Sequence, residues 1–205
     1  MLEAISNLFA NLTRQNATRK RLIWFLWRLL GAFALPPLSW PVLFLIGFGG
    51  FVGLLRSANS FKQSFIFAWC YAVGFHLAGL YWISASLFID IARYVWVLPF
   101  SLLALPAYLA LIFGGASAAC HGLREKPIWH ALLLSSLLCI CEINRGWLWG
   151  GFPWNVFGYI WSDTLPVIQI VSVIGIYGLT LLTLLAGAAI SLLLTPIKKS
   201  SLILL

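Results

Sequence analysis

Glu142 and Arg145 stand three residues apart where a long apolar run gives way to the aromatic stretch EINRGWLWGGFPWNVFGYIW, residues 142–161. Three-residue spacing on a helix puts both side chains on one face, where they can pair. Alone, each charge would cost ~2.5–3.5 kcal/mol at mid-membrane on insertion scales and less near the surface, so the pair needs a local reason to exist. Arg145 offers one, because its planar donor fork suits a lipid phosphate or a carboxylate better than a lysine would. Gly146 is expected to end the helix, Gly150 and Gly151 permit backbone angles that bulkier residues resist, and Pro153 fixes the turn while extending Phe152. Trp147, Trp149, Phe152, Trp154, Phe157, Tyr159 and Trp161 crowd the same segment. An aromatic belt at headgroup depth accounts for the rings but not for the glycines, the proline or the charges. A structured loop in the membrane surface, able to grip acyl chains or a lipidated peptide, accounts for all of them.

The remaining reactive residue types give weaker signals. Cys70, Cys120, Cys139 and Cys141 lie within or beside apolar runs with no C-x-x-C spacing, and Cys139 and Cys141 point to different sides of a helix. They read as packing residues, since a reactive thiolate needs an electropositive, partly wet setting. His76 falls near the middle of an apolar run, where an ionisable group suggests function. A neutral imidazole bonded to a neighbouring helix, with Gly74, Ala78 and Gly79 allowing close contact, is the favoured reading over a proton relay. His121 and His130 are expected near an interface. Asp90 and Arg93, three apart in a loop, are expected to form a solvated pair of small energetic value.

Long apolar elements must carry these residues, because 62% of the chain is hydrophobic and 9% charged, against about 45–50% and about 25% in ordinary soluble domains. The expected fold class is all-α, a polytopic transmembrane helix bundle of about six spans near 22–38, 41–55, 65–85, 95–119, 128–145 and 165–195. The second is short, and the last is expected to tilt or break near Thr195-Pro196. Pro36-Pro37 and Pro41 mark a tight hairpin, and Arg56–Ser64 and His121–Pro127 polar loops. No sequence repeat is evident, and no soluble domain fits beside six spans.

Lys and Arg in short loops favour the cytoplasmic side. With the N-terminus and C-terminus cytoplasmic, eleven of the thirteen positive charges fall inside and only Arg93 and Arg145 outside. The net charge of +8 is therefore a membrane address and requires no nucleic acid. Residues 1–21 read as a basic interfacial segment, with Leu2, Ile5, Leu8, Phe9 and Leu12 at helical spacing before the cluster Arg19-Lys20-Arg21. Residues 22–38 read as an uncleaved span rather than a signal peptide, since Arg28 interrupts the apolar core. The domain reading is thus 1–21 interfacial, 22–195 transmembrane, and 196–205 the start of a further span.

RGWLWGGFPWNVFGY at 145–159 resembles the RGW…GFPW signature of the bacterial apolipoprotein N-acyltransferases, with the preceding acid present as Glu142. LPPLSWP at 35–41 resembles that family's proline-rich turn after the first span, VGFHLAGLYWI at 73–83 its glycine-rich third span, and GIYGLTLL at 175–182 the span after the aromatic loop. The resemblance implies an acyltransferase of the bacterial inner membrane, with the aromatic loop on the periplasmic side. Family members move an acyl chain from a phospholipid, through a cysteine thioester, to the amino group of a lipoprotein's N-terminal diacylglyceryl-cysteine. It implies a phospholipid acyl donor and a lipoprotein N-terminus as partners, and no cofactor or metal. In the family a Glu, a Lys and a Cys of a nitrilase-like outer domain perform the transfer, and no such set is available here. No catalytic residue is therefore assigned, and the chain is expected to be truncated and inactive alone. The membrane positions carried over, as lipid or substrate docking residues, are Tyr81, Trp82, Glu142, Arg145, Gly146, Trp147, Gly151, Phe152, Pro153 and Trp154. Two alternatives stay open: a non-enzymatic lipid-binding or anchoring module for a separately encoded nitrilase-like partner, and, less well supported for want of mid-span polar residues, a small transporter.

Overall fold

The computed structural model describes residues 40–147, 151 and 153–194. The interfacial segment 1–21, the first expected span, the Pro36-Pro37 hairpin, Leu148–Gly150, Phe152 and the tail from Thr195 lie outside the described residues. The chain runs through α1 (Pro41–Arg56), α2 (Phe61–Leu80), a 3₁₀ segment Tyr81–Asp90, the short α3 (Ile91–Tyr94), α4 (Leu105–Cys120), α5 (Pro127–Trp147), the short α6 (Leu165–Ile168) and α7 (Val171–Leu194). A π-turn at Phe100–Ala104 leads into α4, and a 3₁₀ turn at Phe157–Trp161 precedes α6. Among the described residues there is no strand. Among the described residues four helical stretches are long and apolar enough to cross a membrane: Phe61–Val97, Phe100–Leu123, Pro127–Trp147 and Val171–Leu193. At 16 residues, α1 is apolar but short, about 24 Å at 1.5 Å per residue. The chain is an all-α membrane helix bundle.

Helix starts follow the local chemistry. Pro41 supplies the first turn of α1. Ser60 caps α2 by accepting from the Gln63 N–H at 3.2 Å, and Gln63 Oε1 reaches back to accept from the Asn59 N–H at 2.7 Å. Packing is by close approach of small residues. On α1, a Cβ on Gly49 would meet Gly187 O of α7 at 2.9 Å, and one on Gly114 of α4 would meet the Phe65 ring of α2 at 2.7 Å. A Cβ on Gly74 would meet nothing within 4 Å, so of the expected small-residue contacts on α2 this one is not made.

The other departures have local causes. Asp90 and Arg93 form no ion pair: Asp90 has non-helical angles (φ −139°, ψ 76°) and a new helix starts at Ile91, so the two do not share a face. Arg93 instead sits 5.6 Å from the centroid of the Tyr94 ring. Helix α5 continues one residue past Gly146 to Trp147. The last span opens as two pieces, α6 and α7, and the helical angles of α7 are broken at Gly175 (φ 69°, ψ 172°).

Candidate functional site

Helix α5 buries Leu134, Leu138, Cys139, Glu142 and Arg145 at three- and four-residue intervals, so the acid and the base end the same stripe that builds the core. Glu142 is 1% exposed and Arg145 4%. Arg145 Nη2 donates to Glu142 Oε2, which removes much of the cost of burying each alone. Arg145 Nε and Nη1 are buried with no hydrogen-bond partner among the described residues. A guanidinium has five N–H donors and no acceptor, so these two groups suit an anion or another acceptor of matching shape.

The chain reverses immediately beyond. Gly151 has φ +67° and a Cβ there would lie 2.8 Å from Gly146 O, so only glycine fits this turn. A Cβ on Gly146 would come 2.5 Å from the Tyr177 hydroxyl oxygen of α7. Glycine at both positions thus lets loop, α5 and α7 converge. Asn155 adopts φ 57°, and its Nδ2 is buried without a partner among the described residues.

Of the expected docking residues, Trp82 and Trp154 are brought together, with ring centroids 5.1 Å apart and planes at 59°. Trp82 is steadied by its Nε1–H donating to Gly79 O at 3.0 Å. Both tryptophans are about half exposed, as is Tyr81, while Trp147 is largely exposed and Pro153 exposed. Glu142 and Arg145 are inside, near the end of the helix that leads into this segment. Phe152 lies outside the described residues.

The segment after the rim differs from a loop lying wholly in the surface. Val156, Phe157, Gly158 and Ile160 are buried. Phe157 is the hub of a ring cluster, 5.2 Å from Phe44, 5.1 Å from Phe75 and 5.6 Å from Phe113. Gly158 N–H donates to Thr180 Oγ1 at 3.0 Å and Trp161 Nε1–H to Thr183 Oγ1 at 2.8 Å, pinning the descent to α7. The loop is therefore re-entrant, an irregular backbone at bundle depth tolerated because protein surrounds it. Tyr177, Thr180 and Thr183 carry only a weak sequence signal, their three-residue spacing as a polar stripe on an apolar helix.

His76 is fully buried, with Nδ1 2.8 Å from Ala72 O of its own helix and its ring edge-on to Phe75 and Phe113. The partner is thus the preceding turn rather than a neighbouring helix. Cys120 and Cys139 are buried, Cys70 and Cys141 half-buried, and all four are unpaired. Cys139 Sγ donates to Tyr177 O at 3.4 Å. Among the described residues no three His, Cys, Asp or Glu side chains cluster as a metal site. Chemically, the Arg145 guanidinium can still donate to an acceptor, and the exposed Trp82 and Trp154 rings can pack an apolar group.

Residues 29–189 match the family model of the apolipoprotein N-acyltransferase N-terminal domain. The chain is 37% identical over 149 residues to an apolipoprotein N-acyltransferase of Rhodopseudomonas palustris, covering 70% of this chain and 28% of that protein. It is 32% identical over 139 residues to one of Agrobacterium fabrum, covering 63% and 26%. One of Brucella melitensis is 28% identical over 167 residues, covering 76% and 31%. The matched region thus spans between a quarter and a third of the length of these curated relatives.

Proposed function

The chain belongs to the apolipoprotein N-acyltransferase N-terminal domain family, and from that membership we propose that it is the membrane docking module of lipoprotein N-acylation. Its ligands are a phospholipid acyl donor and the diacylglyceryl-modified N-terminus of a lipoprotein. It resides in the bacterial inner membrane with six spans, both termini cytoplasmic and the aromatic loop periplasmic, as the distribution of Lys and Arg favours. The observation that carries the reading is Arg145, whose Nε and Nη1 are buried without a partner among the described residues, near the end of the helix that leads into the segment carrying Trp154. A phosphate or carboxylate at that fork, with acyl chain against the tryptophans, fits both halves of an amphiphile.

These 205 residues supply docking and not the chemical step. Acyl transfer through a thioester needs a thiolate in a wet, electropositive setting, and each of the four cysteines is packed into the bundle. The test is binding of a fluorescent diacylated lipopeptide to the chain in nanodiscs. Arg145→Gln is expected to weaken binding about tenfold, the scale of one charge-assisted hydrogen bond. Unchanged affinity in a variant that keeps its helix content and melting temperature would reject the site.

A further inference from the structure

We propose that the end of the bundle opposite the aromatic loop holds the phosphate of an anionic glycerophospholipid, seated between the C-terminal end of α4 and the first turn of α5. This second site does not depend on the function proposed above. His130 and Arg145 are at opposite ends of α5, about 22 Å apart at 1.5 Å per residue.

His121 is 4% exposed and His130 not exposed at all. Arg124 Nη1 lies 3.4 Å from His121 Nε2. A guanidinium can only donate, so Nε2 accepts and the ring proton sits on Nδ1. That Nδ1 has no partner, and neither has either ring nitrogen of His130, though even a neutral imidazole always presents one donor. Ser117 Oγ and Ser135 Oγ, from the same two helices, are likewise buried and unpartnered. Five of the ten such buried atoms among the described residues are therefore found on these four side chains, a concentration that ordinary packing does not favour.

The charge around them is mostly positive. Arg56 Nε–H donates to Arg124 O at 3.1 Å, bringing the end of α1 to the same place. The α5 N-terminus adds its partial positive charge. Among the described residues Glu125 is an acid alongside; its carboxylate lies 3.7 Å from Arg124 Nε and its side chain is 72% exposed. The cluster calls for an acceptor carrying negative charge, and a phosphate brings several oxygens. A lipid rather than a free ion is indicated by the flanking apolar groups: Phe61, whose ring is 4.7 Å from His121, is 61% exposed, and Trp129 on the first turn of α5 is 49% exposed.

Native mass spectrometry of the purified chain in detergent, titrated with phosphatidylglycerol or phosphatidylcholine, tests this. One phosphatidylglycerol is expected to be retained with about tenfold preference. Arg124→Gln, at a residue one-third exposed in a turn and so tolerant of change, is expected to abolish the preference. Lys62→Gln, an exposed charge at the same end, is expected to leave it intact. Equal retention of the two lipids, or equal loss in both variants, would overturn the site in favour of diffuse surface charge. Displacement of phosphatidylglycerol by millimolar inorganic phosphate would overturn the lipid assignment in favour of a free anion. Melting curves of both variants keep a folding defect from being read as lost binding.

Discussion

Trp82, in the 3₁₀ segment that follows α2, and Trp154, just after the Gly151 turn, form one rim because their rings meet at 5.1 Å. Tilted aromatic pairs of this kind contribute about 0.5–1.5 kcal/mol beyond their burial. A double-mutant cycle with Trp82→Ala and Trp154→Ala, read by lipopeptide affinity, is expected to give a coupling of about 1 kcal/mol. Additive effects would mean that the two act on separate ligands.

Glu142 and Arg145 allow structure and binding to be separated. Arg145→Leu strands a buried carboxylate and is expected to cost about 3–5 kcal/mol of stability. The double variant Glu142→Leu/Arg145→Leu is expected to recover most of that loss while still failing to bind lipopeptide. Recovery of both properties together would make the pair purely structural.

Gly151 has φ +67°, and a methyl group on it would meet Gly146 O at 2.8 Å. Gly151→Ala is expected to destabilise the bundle by about 1–2 kcal/mol and to broaden the Trp emission of the rim. A wild-type spectrum and melting temperature would show that the turn can relax.

Phe157→Ala is expected to cost about 3–5 kcal/mol, the usual range for a buried ring. Tyr159→Ala, two residues on and 41% exposed, is expected to cost much less. Equal losses would contradict the re-entrant placement.

The proposed orientation is checked by thiol labelling. A cysteine at Asp90, an exposed site, is expected to react with an impermeant maleimide on intact cells, and one at Glu125 only after permeabilisation. The reverse pattern would invert the topology and put the rim on the cytoplasmic side.

Local spacing made part of this legible in the sequence. Glu142 and Arg145 are three apart on a long apolar helix, so their shared face follows from helical geometry alone. Apolar run lengths likewise gave the helix class, and the glycines of the turn pointed to a tight reversal. Asp90 and Arg93 have the same spacing but no common helix, because the backbone at Asp90 departs from helical angles. Phe157 reads as one more ring among surface aromatics, since its depth is set by Phe44, Phe75 and Phe113 on three other helices. A Cβ on its neighbour Gly158 would lie 2.9 Å from Ile176 O, a close approach that only tertiary packing reveals.

Because Phe157 sits at the hub of those phenylalanines, the rim above it has an anchor inside the protein. A guest that levered Trp154 outward would have to pull against that anchor and loosen rings belonging to three helices at once. The rim is consequently shaped before anything arrives, and whatever packs against it must conform to it, much as a key meets a lock cut beforehand.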